Sequence, residues 1–181
     1  MNNKGFTLLE VMAAIFLLTI GVIGILSLVS QTIVSSQITS SRLVASYLAQ
    51  EGIEIVKNLR DTNFLKIHKG ETINWYDNIL CCPAPPCAWG QDYTCEGDYN
   101  DSSLTSSQGR KLKISGNFYQ YSDSGTETSF KRKITIFNIQ DLSDPLDGIP
   151  DKMKVQVEIS WTERLRDYQV TVQENIYKWL Q

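Results

Sequence analysis

The sequence predicts an α+β protein, with a long N-terminal helix that spans a membrane in its first half and packs on an antiparallel β-sheet in its second. Three observations predict it. Residues 11–41 carry no formal charge, because Arg42 is the first charged residue after Glu10. A helical apolar stripe then continues, with no proline before Pro83. The C-terminal part holds runs alternating apolar and polar residues, the period of a half-buried strand. At 181 residues the chain suits one anchor plus one modest domain.

Residues 11–29 are almost all apolar, interrupted only by Thr19, Gly21, Gly24 and Ser27. As a helix they span about 28 Å, close to the roughly 30 Å of a bilayer core. Lys4 is the only cation near the front, which places this end in the cytoplasm and the rest outside. The run is too long for a cleaved secretory signal, and no small-x-small site stands out near its end. A plain signal anchor fits the hydropathy but leaves Glu10 unexplained. A charge at membrane depth costs on the order of 3 kcal/mol and is usually functional, although near the membrane face a glutamate can snorkel.

Lys4-Gly5-Phe6-Thr7-Leu8-Leu9-Glu10-Val11 resembles the processing motif of type IV prepilins and type II secretion pseudopilins. In that family a prepilin peptidase cuts after the glycine on the cytoplasmic side and methylates the new amine. The resemblance implies a leader of residues 1–5, cleavage between Gly5 and Phe6, and N-methylated Phe6 as the first mature residue. Glu10 becomes the fifth and pairs with the Phe6 amine of a neighbouring subunit. Gly5 suits the scissile position because it has no side chain to obstruct the protease. The implied function is structural: a minor pilin or pseudopilin, polymerised through its N-terminal helix, with pilin-like architecture and no enzymatic activity. Implied partners are other pilin subunits, prepilin peptidase, the inner-membrane assembly platform and the membrane. The implied location is the inner membrane, single-pass with the N-terminus inside, and later an extracytoplasmic filament. The alternative is a non-polymerising anchor that presents a binding or adhesion domain. The pairing of Gly5-Phe6 with Glu10 distinguishes the two.

Residues 6–34 thus form the membrane and assembly half of the helix, and residues 35–61 its amphipathic half. Val44, Leu48, Ile55 and Leu59 mark one apolar stripe. Arg42, Ser46, Gln50, Glu54, Lys57 and Asp61 fall opposite. A helix over 6–60 would be about 80 Å long. Residues 48–61 also resemble the corresponding part of minor pilins. Gly52 on the stripe predicts close approach of a sheet, against the alternative of a tolerated glycine costing about 1 kcal/mol. Gly21 and Gly24 fit either local unwinding during assembly or the ordinary glycine content of membrane helices.

Residues 62–109 are predicted to form a cysteine-containing irregular connection, broken by Pro83-Ala84-Pro85-Pro86. Cys81, Cys82, Cys87 and Cys95 are an even, clustered set that predicts disulfides in an oxidising compartment. Three pairings are possible. A Cys81–Cys82 bridge is the least suited, because adjacent Cα atoms are too close. The spacing C-C-x4-C-x7-C lacks a C-x2-C knuckle, and His68 is the only histidine, so zinc is the weaker reading.

Residues 110–181 are predicted as the antiparallel sheet region, with strands at 111–115, 117–121, 130–139, 153–161 and 168–177. Phe130, Ile134 and Ile136 share one side. Connections at 122–129 and 162–167 suit antiparallel neighbours. Asp141, Asp144, Asp147 and Asp151 lie in a turn-rich acidic loop whose default reading is solvated, with calcium the weak alternative. Lys131-Arg132-Lys133 reads as a solvated strand. From residue 61 onward 13 Lys and Arg face 17 Asp and Glu, which argues against a generally basic nucleic-acid module. No catalytic constellation and no cofactor motif stands out, and His68 reads as a surface loop residue.

Overall fold

The computed structural model describes residues 7–82, 87, 91–121, 124–137 and 151–179. The chain forms two compact units, Met1–Ser41 and Arg42–Gln181.

Helix α1 (Leu8–His68) contributes to both units. Thr7 caps its start. The Thr7 carbonyl accepts from the N–H groups of Glu10 (3.1 Å) and Val11 (3.3 Å), and its hydroxyl also accepts from Glu10 N–H (3.4 Å). In the first unit large apolar side chains are exposed at successive positions, among them Ile15, Phe16, Leu17 and Leu18. A helix apolar all round belongs in lipid or in the core of an assembly. The helix is long and apolar enough to cross a membrane. Thr19 and Thr32 return their hydroxyls to the carbonyls of Phe16 (2.8 Å) and Leu28 (2.9 Å), satisfying them without water. The helix runs unbroken through Gly21 and Gly24.

In the second unit the helix buries Ala45, Leu48, Ala49, Gly52, Ile53, Ile55, Val56, Leu59, Asn63 and Phe64. It therefore passes the predicted end near residue 60 by about two turns. Phe64 stacks on Trp75 at 6.5 Å, and the Asn63 amide donates to the carbonyls of Trp75 (3.1 Å) and Asp77 (2.6 Å). These contacts repay the extra turns. Gly70, at φ +86°, then stops the helix: Glu71 N–H reaches the Lys66 carbonyl and Gly70 N–H that of Ile67. His68 sits exposed at the helix end and not in a loop.

The strands are β1 (Asp92–Glu96), β2 (Thr105–Ser106), β3 (Lys111–Ser115), β4 (Phe118–Gln120), β5 (Thr126–Phe137), β6 (Lys152–Glu163) and β7 (Arg166–Tyr177). Every pairing among them is antiparallel. β5 is central. One edge pairs with β6, which pairs with β7, and the other is shared by β3 and β1. Met153, Val155, Val157, Ile159 and Trp161 of β6 are all buried, as their alternation predicts.

Two expectations are corrected. Residues 62–109 are not irregular throughout, since they hold the end of α1 and both β1 and β2. The connection at 122–129 does not join paired strands: β4 pairs with β3, and β3 with β5. Gly116 and Asn117 (φ +59° and +69°) supply the two-residue turn that closes β3 onto β4, leaving the other edge of β3 for β5. The β6–β7 turn, Arg164-Leu165, also has two positive φ values (+51° and +63°), but without glycine, at roughly 1 kcal/mol each.

At Gly52 the helix lies close against the sheet. A Cβ there would lie 2.7 Å from Val157 Cγ1 and 3.3 Å from Arg132 Cδ. Gly52→Ala should destabilise the protein by about 1–2 kcal/mol, overpacking outweighing the helix-propensity gain. Tryptophan-monitored unfolding of the detergent-solubilised chain checks this, since Trp75 and Trp161 are buried. Unchanged stability would mean that Val157 can step aside.

Candidate processing and assembly site

The predicted cleavage residues Gly5 and Phe6 lie outside the described residues, which begin at Thr7 just behind them. Thr7-Leu8-Leu9-Glu10 has the spacing of a capping box, with threonine at the cap and glutamate three positions in. Its carboxylate is exposed in the first turn, where the helix dipole favours a negative charge. Sequence reasoning identified Glu10 by its charge but missed that Thr7 gives it a local partner position. The T-x-x-E spacing was the available signal.

The cysteines pair as Cys81–Cys95 and Cys82–Cys87, with Cα separations of 5.7 and 5.5 Å. Cys95 lies on β1 opposite Ile134 of β5, and both Cys81 and Cys95 are buried. This bridge ties the segment after α1 to β1, beside the central strand β5. Cys82–Cys87, partly exposed, is nested inside it. Loop closure predicts about 3 kcal/mol for the outer bridge, with a sequence separation of 14, and about 2 kcal/mol for the inner one, with 5. Replacing each pair by alanine and comparing unfolding midpoints tests that order, and a larger loss from the inner pair would contradict it.

Asp141, Asp144 and Asp147 lie outside the described residues. Asp151 accepts from Lys178 N–H through its carbonyl (2.7 Å), and its carboxylate lies 3.8 Å from Lys178 Nζ. Among the described residues no group of three or more His, Cys, Asp or Glu could hold a metal ion.

The reading of Lys131-Arg132-Lys133 as a solvated strand is wrong at its middle residue. Lys131 and Lys133 are exposed, but Arg132 is 1% exposed. Strand parity puts it on the face of Phe130, Ile134 and Ile136, a signal already present in the sequence. Arg132 Nη1 pairs with Glu51 of α1 at 3.0 Å, and Nη2 donates to the Gly97 carbonyl at 2.7 Å and lies 3.5 Å from Asp98. Tyr121 closes the cluster by donating its hydroxyl to the Arg132 carbonyl (2.8 Å), and burial pushes its pKa up to about 12. Burial also raises Asp98 above the ordinary carboxylate value, against the opposing pull of Tyr121 N–H and Arg132. Beside it Glu96 is fully buried. Burial alone would raise its pKa, but hydrogen bonds from Arg110, Ser107 and the Gln108 N–H hold it below the usual value.

A capped, all-round apolar helix continuing into an antiparallel sheet defines an α+β architecture of the pilin-like kind. Residues 1–26 match the family model described as the prokaryotic N-terminal methylation motif. The chain thus carries the signature of type IV prepilin- and pseudopilin-like proteins, and its apolar helix is suited to membrane anchoring. No curated protein and no solved structure matches it.

Proposed function

We propose that this chain is a structural subunit, a minor pilin or pseudopilin, of a type IV pilus or a type II secretion-like filament. Prepilin peptidase cleaves it between Gly5 and Phe6 and methylates the Phe6 amine, and the subunit polymerises through the first half of α1. The observation that carries this reading is the methylation motif at the head of an apolar, capped helix, with Glu10 five residues from the proposed cut. Before assembly the chain spans the inner membrane once with its N-terminus inside, and Arg42–Gln181 lies outside. Two disulfides in that unit support the orientation, because such bridges persist in oxidising compartments. Other pilin subunits and the inner-membrane assembly platform are its partners.

Mass spectrometry of the mature N-terminus tests the proposal. The expected first residue is N-methylated Phe6, and Gly5→Leu should accumulate as the uncleaved form. An intact Met1, or a cut beyond the apolar run, in cells with active prepilin peptidase would overturn it.

A further inference from the structure

The cysteines are paired out of chain order. Cys81 passes over Cys82 and Cys87 to reach Cys95, and the Cys82–Cys87 bridge is nested inside. A Cys81–Cys82 bridge is disfavoured by the closeness of adjacent Cα atoms. One rival set therefore remains, Cys81–Cys87 with Cys82–Cys95.

The unfolded chain hardly distinguishes the two sets. The native bridges have sequence separations of 14 and 5, and the rival set shortens the outer one and lengthens the inner one by a single residue. Closure cost varies only with the logarithm of loop length, so the two are nearly equal. The fold makes the choice. Cys95 is fully buried on β1 opposite Ile134 of β5, and Cys81 is buried with it, while Cys82 and Cys87 are half-buried. Which of the two adjacent cysteines turns inward is thus settled only when β1 docks on β5. In the outward orientation of the proposed function, Cys81, Cys82 and Cys87 enter the oxidising compartment before Cys95, and all of them before β5. Bridges closed at that stage divide between the native and the rival set.

We infer that this chain is a substrate of a thiol-donating disulfide isomerase, which acts on the rival set at Cys87. The inference rests on the outward orientation given above, and the test separates the two. A fully oxidised rival set holds no thiolate to start an exchange, so the thiol comes from outside. The isomerase thiolate attacks Cys87 Sγ, forms a mixed disulfide and releases the Cys81 thiolate. Cys81 then attacks Cys95 Sγ, closing Cys81–Cys95 and releasing the Cys82 thiolate. Cys82 attacks Cys87 Sγ, closing Cys82–Cys87 and returning the isomerase thiolate. Each step makes one S–S bond and breaks one, so no oxidant is consumed. Because Cys81 and Cys82 are neighbours, both internal steps shift a bridge by one residue. Access sets the direction. Once β1 has docked, Cys81–Cys95 is buried away from thiolates, and Cys82–Cys87 is the bridge left near the surface.

The full chain is induced briefly in cells with and without their extracytoplasmic disulfide isomerase, and free thiols are blocked at harvest. Partial reduction, alkylation and tandem mass spectrometry then read whether Cys81 or Cys82 shared a bridge with Cys87. With the isomerase, nearly all of the chain should carry Cys82–Cys87. Without it that share should fall by about twofold, the even division of two sets of nearly equal closure cost. Cys82→Ser with Cys87→Ser leaves Cys81 a single partner, and its Cys81–Cys95 bridge should form equally in both strains. An isomerase lacking its second active-site cysteine should capture the wild-type chain through Cys87 and should not capture the double variant. Native pairing that is undiminished without the isomerase overturns the inference and leaves the orientation standing. A double variant that depends on the isomerase as strongly as wild type also overturns it, because no rival set exists there. Four free thiols in both strains overturn the outward orientation itself.

Discussion

Arg132→Met should lower the stability of the outer domain by about 3 kcal/mol, the loss expected when one member of a buried charged cluster is removed. The arithmetic favours a large effect even though methionine suits the apolar surroundings. Glu51 is about one-third exposed and can return to water, but Asp98 is nearly buried and loses its cationic partner, as does the Gly97 carbonyl its donor. One compensation limits the loss: Arg132 Nε is buried without a hydrogen-bond partner among the described residues, and that cost disappears with the side chain. Asp98→Asn in the Arg132→Met background should recover part of the stability, because a neutral amide tolerates burial better than a carboxylate that has lost its guanidinium partner and keeps only the Tyr121 N–H (2.8 Å) as a close donor. Unfolding of the detergent-solubilised chain, followed by tryptophan fluorescence, supplies the double-mutant cycle. A coupling below about 0.5 kcal/mol would mean that the two residues act independently and that the cluster is not a unit.

The same cluster shows where sequence reasoning reached and where it stopped. The apolar run, the alternation of β6 and the short β6–β7 connection were legible, because each is a local pattern that burial on one side enforces. Gly52 was legible as a close approach for a similar reason: a glycine on a buried helical stripe has few other uses. Arg132 was misread because a charged residue between two lysines looks solvated until strand parity is given priority over charge. β1 went unseen because its five residues lie in a cysteine- and proline-rich stretch, and their pairing with β5 is set by partners about 40 residues away. The extra turns of α1 depend on Trp75 and Asp77, also remote from any helical period. At the N-terminus the methylation motif was legible, whereas the cap formed by Thr7 required the helix start to be fixed.

Glu10→Ala should leave membrane insertion and cleavage intact and reduce incorporation into filaments by at least tenfold. Two roles compete for this carboxylate. At the helix head it occupies the third position after the Thr7 cap, and losing it there costs only about 0.5 kcal/mol in a first turn that Thr7 still caps. In the assembly role it faces the Phe6 amine of a neighbouring subunit. Each charge is expensive to bury alone, and together they offset most of that cost and fix the axial register of one helix against the next. An unpaired amine in an apolar core costs several kcal/mol, and each 1.4 kcal/mol is about tenfold in an equilibrium, so the assembly role predicts the far larger defect. Glu10→Gln separates the two further, because it retains the size and capping ability of the side chain and removes only its charge. The assembly role predicts that glutamine fails nearly as badly as alanine, and the capping role that it behaves as wild type. A mixed-subunit assembly assay, scored by the fraction of variant in purified filaments, decides between them. Wild-type incorporation of Glu10→Ala would leave capping as the whole function of Glu10, and the register of the filament would then have to come from apolar packing.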